Sequence, residues 1–133
     1  MSRYVVDASV AVEYLLRTPL GLTVAATIED SSLVAPELMD AEVLSVLRRA
    51  VLNGQLEETR AQMVVEDLVH WPVDRVSHQS LAPLAWQYRR NISVCDAFYV
   101  AVAHTHGLPL MTADGRLSRA PGLGVVVQYV RMG

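Results

Sequence analysis

The 133-residue sequence contains no lysine; all eleven of its basic residues are arginine. That absence removes every mechanism built on a lysine Schiff base, a lysine general base or a lysine gripping a phosphoryl group. Cys95 is the single cysteine, so no internal disulfide forms, and nothing in the sequence points to export. Long apolar runs are missing too. No segment approaches the roughly 18 to 20 uninterrupted apolar residues of a membrane helix. The first residues, MSRYVVDAS, enter a strand without a signal-peptide core, and Glu13 interrupts the next apolar run. A soluble, cytoplasmic protein with no membrane contact is the expectation. Repeats, linkers and low-complexity segments are also absent, which leaves one domain, 1–133, long enough to bury a real core.

The net charge of −3 excludes a globally basic nucleic-acid surface, so any phosphate contacts must come from local arginines. Hydrophobic residues make up 52%, slightly above an ordinary soluble domain, so some apolar surface is expected to lie under another subunit or partner.

What is present is an alternation of short apolar strands and amphipathic helices. Tyr4 to Val6 reads as a strand ending in Asp7, and Val10 to Leu16 as a helix stopped by Thr18-Pro19. Leu20 to Glu29 is a second helix and Ser32 to Ala35 a second strand. Pro36 is expected to open the longest helix, which Gly54 ends. On that helix Met39, Val43, Val46, Leu47 and Ala50 form an apolar wedge with Glu42 beside its edge. Glu57 to Trp71 is a helix, Val73 to Val76 a strand, and Gln79 to Arg90 another helix. Ala97 to His106 is helical up to Gly107, followed by strands at Leu108 to Met111 and Val125 to Gln128. This alternation predicts an α/β fold, a three-layer α/β/α sandwich around a mostly parallel five-stranded sheet.

Parallel strands place strand ends and helix starts at one edge, where α/β proteins bind their ligands. Asp7 and Asp114 follow strands, Asp96 opens a helix, and Glu42 lies past the first turn of its helix. Taken singly, Asp7 and Asp114 could cap the helices that follow them, Ser93-x-x-Asp96 resembles a capping box, and Glu42 could be a solvated residue paired with Arg49. Jointly they form an acidic cluster. Two bare carboxylates about 4 Å apart repel by roughly 4 kcal/mol at an effective dielectric near 20, so such a cluster needs a cation or protons. Hard oxygen ligands favour Mg²⁺ or Mn²⁺, the ions of phosphodiester chemistry.

Three segments, VVDASV, APELMDAEVLSVLRR and SVCDAFYVAVAHTHGLPLMTADGRL, make the chain resemble the PIN-domain ribonucleases over essentially its full length, and more narrowly the VapC toxins of bacterial toxin–antitoxin pairs. The last segment is the most specific, joining D-A-x-Y on a helix to L-x-T-A-D after a strand. The resemblance implies a metal-dependent endoribonuclease that hydrolyses RNA with metal-activated water, leaving a 5′-phosphate and a 3′-hydroxyl. It also implies a homodimer and a small antitoxin partner. By position, Asp7, Glu42, Asp96 and Asp114 match the acidic quartet, with Asp7 and Asp96 as metal ligands and Glu42 and Asp114 acting through waters. Ser9 and Thr112 match hydroxyl positions that support metal-bound water. Gly115 stands where many relatives carry a larger, often basic residue.

Arg116 and Arg119 immediately follow Asp114 and are the RNA-binding candidates, whereas Arg48, Arg49, Arg89 and Arg90 read as solvated charges. His104 and His106 do not share a helix face and read, like His70 and His78, as ordinary helix-end residues. Cys95 reads as a small core residue, and Trp71, Trp86 and Tyr88 as core or interface aromatics. Response-regulator receivers and haloacid-dehalogenase-like phosphatases also gather acids and Mg²⁺ at such an edge, but both need a lysine. The remaining alternative is a catalytically silent interaction module whose acids receive a partner's arginine.

Overall fold

A computed structural model describes residues 2–132. Five strands, β1 (Arg3–Val6), β2 (Ser32–Pro36), β3 (Val73–Val76), β4 (Leu110–Thr112) and β5 (Val127–Tyr129), form one sheet in the order β3-β2-β1-β4-β5. All four pairings are parallel. The helices are α1 (Ala8–Leu16), α2 (Pro19–Glu29), α3 (Leu38–Leu52), α4 (Glu58–His70), α5 (His78–Gln87), α6 (Val94–His106) and α7 (Gly115–Arg119).

The chain winds outward from β1 through β2 to β3, then returns to the other side of β1 for β4 and β5. Because crossovers between parallel strands are right-handed, this reversal puts α1 to α4 on one face of the sheet and α5 and α6 on the other. The packing agrees, with α1 against α2, α3 and α4, and α5 against α6. The expected three-layer sandwich is therefore present. Its switch point, where parallel α/β sheets open a crevice beyond their strand ends, lies between β1 and β4.

Both central strands are apolar on both faces because both faces are covered, as Val5, Val6, Leu110 and Met111 show. Met39, Val43 and Leu47 supply the buried stripe of α3, four residues apart. On α6 the run from Tyr99 to Ala103 is wholly buried. Gly21 lets α2 press against α1, since a Cβ there would lie 1.9 Å from the Glu13 carbonyl oxygen. Gly107 closes α6 in the left-handed conformation at φ 64°, as expected from its position.

Several local expectations need correction. Pro36 ends β2, paired with Val76, and does not open α3. A proline at a strand end forfeits no essential ladder donor, and Glu37 N–H supplies the next bond, to the Val76 carbonyl at 3.0 Å. The α3 N-terminus is served instead by His78, whose Nε2 accepts the Leu38 N–H at 2.9 Å. That bond gives His78 a specific structural task beyond an ordinary helix end. The strand expected at Leu108 starts at Leu110, and the last strand begins two residues later and ends one residue later than expected. The fifth helix stops at Gln87. The helix that Asp114 could cap is the short α7, which Asp114 starts by accepting the Arg116 N–H at 2.9 Å.

Candidate active site

Asp7 sits at the centre of the switch point. Its backbone N–H donates to the Met111 carbonyl, extending the β1–β4 register one residue beyond the strands. Although Asp7 is the N-cap residue of α1, its carboxylate makes no capping bond. Two hydroxyls bind it instead: Ser9 Oγ and Thr112 Oγ1 donate to Oδ2 at 2.8 and 2.7 Å. Each hydroxyl in turn accepts a backbone N–H, Ser9 from Ala113 at 2.9 Å and Thr112 from Asp114 at 3.0 Å. This arrangement fixes the hydroxyl protons on Asp7 and ties the β4–α7 turn to α1.

Glu42, Asp96 and Asp114 reach the same crevice from α3, α6 and the turn after β4. A cleft of about 680 Å³ is lined by Asp7, Glu42, Asp96 and Asp114, with Arg49 and Arg116 among its other walls. Glu42 is held by Tyr99, whose buried hydroxyl donates to Oε1 at 2.7 Å. No ion pair joins Glu42 to Arg49 among the described residues. Ser93 caps α6 by accepting the Asp96 N–H at 3.2 Å, which places the Asp96 side chain in the first turn at the cleft rim. Asp114 caps α7 and stands 3.7 Å from the exposed Arg116 guanidinium.

The acids disturb one another. Burial raises the Asp7 carboxyl above its ordinary range, Thr112 and Ser9 pull it back, and the charge of Asp96 raises it further. Partial burial raises Glu42; Tyr99 opposes this, while Asp7 and Asp96 add to it. Burial likewise raises Asp96, with Ser93 lowering it, Asp114 raising it and Arg116 lowering it. Burial is the largest cause in all three, and the repulsion that adds to it would be relieved by positive charge in the cleft.

The donor set is all hard oxygen, which fits Mg²⁺ or Mn²⁺. Among the described residues no group of three or more Asp, Glu, His or Cys side chains closes on one point at ligand distance. The cleft suits an ion held by one or two carboxylates with its remaining positions left to water and phosphate, the usual habit of Mg²⁺.

Of the RNA-binding candidates, Arg116 lines the cleft and Arg119 does not. Arg119 Nη1 lies 2.8 Å from where a Cβ on Gly115 would stand, so its guanidinium fills the space a side chain at 115 would take. Cys95 is exposed on the cleft wall and is not a core residue, because the second position of α6 faces the crevice. Burial and the charges of Glu42 and Asp96 push its thiol pKa up. Trp71 is buried and stacks on Tyr14, and Tyr88 donates to the Leu123 carbonyl. Trp86 is 62% exposed, with Arg89 over its ring, so of the two expected places, core or interface, it does not take the core.

Sequence reasoning gave no role to Tyr99, and treated Arg49 as a solvated charge or a partner of Glu42. The signal for Tyr99 was a phenol within an otherwise apolar helical run, since a buried hydroxyl needs a partner.

The PIN domain family model matches residues 4–123, and the chain belongs to that family. Among its relatives is Ribonuclease VapC1 of Mycobacterium tuberculosis, 37% identical over 133 residues that cover 98% of this chain and 100% of the relative. The crystal structure of Mycobacterium tuberculosis VapC20, described as a sarcin-ricin loop cleaving toxin, superposes with a TM-score of 0.67 at 19% identity, covering 92% of this chain and 96% of that one. VapBC-5 of the same organism, a member of the VapBC family of toxin–antitoxin systems, matches with a TM-score of 0.58 at 21% identity, covering 99% and 100%. No helix among the described residues is long and apolar enough to cross a membrane.

Proposed function

We propose that residues 1–133 form a single metal-dependent endoribonuclease domain that acts in the cytoplasm as the toxin of a toxin–antitoxin pair. The observation that carries this reading is the meeting of Asp7, Glu42, Asp96 and Asp114 in one cleft at the sheet's switch point. Relatives named ribonucleases at 37% identity over nearly the whole chain support the choice of substrate.

In this reading Asp7 and Asp96 hold Mg²⁺ or Mn²⁺. When bound, the ion supplies Lewis-acid polarisation of the phosphate and acidifies water. Ser9 and Thr112 orient Asp7 and favour its ionised form by donating to Oδ2, the role outer partners play for a metal-binding carboxylate. Tyr99 fixes Glu42, and Glu42 and Asp114 would act through waters, orienting the nucleophile or a second ion. Arg116 and Arg119 approach RNA phosphates from the α7 side. The water oxygen bonds to phosphorus, the bond to the 3′ oxygen breaks, and a proton passes to that oxygen. The products are a 5′-phosphate and a 3′-hydroxyl.

The test is cleavage of RNA by the purified protein. Hydrolysis with Mg²⁺ or Mn²⁺, its loss in EDTA and its recovery on adding the ion back are the expected results. Cleavage undiminished in EDTA would rule out the metal mechanism.

The fold likeness to toxin–antitoxin proteins and the exposed Leu22, Leu52, Met63, Val69 and Val126 support partners on this surface. We take these partners to be a second copy of the chain and a small antitoxin.

A further inference from the structure

We infer that Arg49 is a phosphate-binding residue that holds the RNA strand on the α3 side of the cleft, with Arg116 on the α7 side, so that the strand crosses the acidic cluster between two guanidiniums. This inference rests on the nuclease reading and assigns a contact that reading lacks.

Without lysine and with a net charge of −3, the permanently charged groups this protein can offer phosphate are arginines placed locally. Two of the eleven line the cleft, Arg49 and Arg116. Arg116 rises from α7 beside Asp114. Arg49 comes from a separate element, α3, on the same stripe as Glu42. Seven residues are two helical turns, so Arg49 stands about 10 Å along the helix from the catalytic carboxylate. That offset suits a neighbouring phosphate rather than the one being cut.

Arg49 is also available. Among the described residues it makes no ion pair and no side-chain hydrogen bond, in contrast to Arg75, which is bound to Asp40 and to three carbonyl oxygens. Ser45 and Val46, one turn before it, line the same wall. On the far side the cleft continues past Asp96 and Arg116 into a smaller groove beside Asn91 and Ile92. The path therefore runs from Arg49 over the acids to Arg116 and outward. Its cation-poor floor admits a phosphate backbone only where these two side chains offset the repulsion. A single-stranded segment, able to bend through the cleft, is the form of RNA that fits.

The experiment measures binding of a fluorescent single-stranded oligouridine to the full chain in an Asp96→Asn background, which prevents hydrolysis. Dissociation constants are taken across a salt series for this parent and for parents carrying Arg49→Ala, Arg49→Lys, Arg116→Ala or Arg3→Ala. Arg3 begins β1, at the opposite end of the strands, and controls for the loss of one charge. Arg49→Ala is expected to weaken binding about 3- to 10-fold and to lower the slope of log K against log salt by about 0.7, one single-strand phosphate contact. Arg49→Lys should restore the slope, and Arg3→Ala should leave it alone. An unchanged slope in Arg49→Ala, with cleavage by the wild type intact, overturns the Arg49 assignment and spares the nuclease reading. If the parent binds no RNA and the wild type cleaves none, both fall together.

Discussion

Tyr99 donates its phenolic proton to Glu42 across 2.7 Å, so the fully buried face of α6 sets the position of a carboxylate on α3. The two helices lie on opposite faces of the sheet, and this bond joins them. Burial, reinforced by the charges of Asp7 and Glu42, pushes the Tyr99 pKa far upward, so the phenol remains a donor throughout the working pH range.

Tyr99→Phe keeps the ring in the core and deletes only that donor. We expect kcat to fall about tenfold, equivalent to about 1.4 kcal/mol, with KM for RNA nearly unchanged. Half-exposed Glu42 can turn to water, so the stability loss should stay near 1 kcal/mol. Steady-state cleavage and a denaturant melt check this. A KM effect without a kcat effect would place the bond in RNA binding rather than in orienting the reaction.

Asp96→Asn should abolish cleavage while leaving the metal-free protein as stable as the wild type or more so. The carboxyl pKa is raised in the fold, so the native state holds its proton more tightly than the unfolded chain. Its contribution is therefore most favourable below the unfolded value near 3.8 and is lost as pH rises through the folded value. The melting temperature of Asp96→Asn relative to wild type in EDTA should accordingly rise from pH 4 to pH 7. A variant that melts markedly lower at every pH would mean that Asp96 mainly supports the start of α6.

Thr112→Val swaps a fully buried hydroxyl for a methyl of similar shape. It removes one of Asp7's two hydroxyl donors and leaves the Asp114 N–H without its acceptor. A loss of about 2 kcal/mol in stability is expected, and a rise in the Mg²⁺ concentration needed for half-maximal cleavage. Unaltered metal dependence would show that Ser9 alone suffices to hold Asp7.

Light scattering of the isolated protein should give a homodimer, and a small protein from a neighbouring reading frame should copurify with it and suppress cleavage. Acidic walls with two arginines to spare would accept a guanidinium bidentately, in competition with the cation. Replacing with alanine an arginine that the small partner inserts among the acids should restore some cleavage while the complex stays intact, the outcome expected if its affinity rests on buried apolar area. Full inhibition by the altered partner would show that it blocks RNA by covering the cleft.

The sequence by itself determined the layer order and the edge at which the acids collect. Apolar strands separated by amphipathic helices leave a parallel sheet as the packing that covers every apolar face, and that sheet brings Asp7 and Asp114 to its C-terminal edge. The start of a helix also marked Asp96, and the family resemblance marked Ser9 and Thr112. Only the tertiary structure decided what each side chain does there. Asp7 and Asp114 both begin helices, yet only Asp114 makes a capping bond. The difference is that two hydroxyls, one from a strand 105 residues away, compete for Asp7. Pro36 and Cys95 were misplaced because local preference cannot tell a strand's last residue from a helix's first, or a cleft wall from a core. Tyr99 and Arg49 gained their meaning from neighbours 57 residues away or across an open cleft. Hydrogen bonds and electrostatic fields act through space, and the chain's order in sequence does not encode those distances until it has folded.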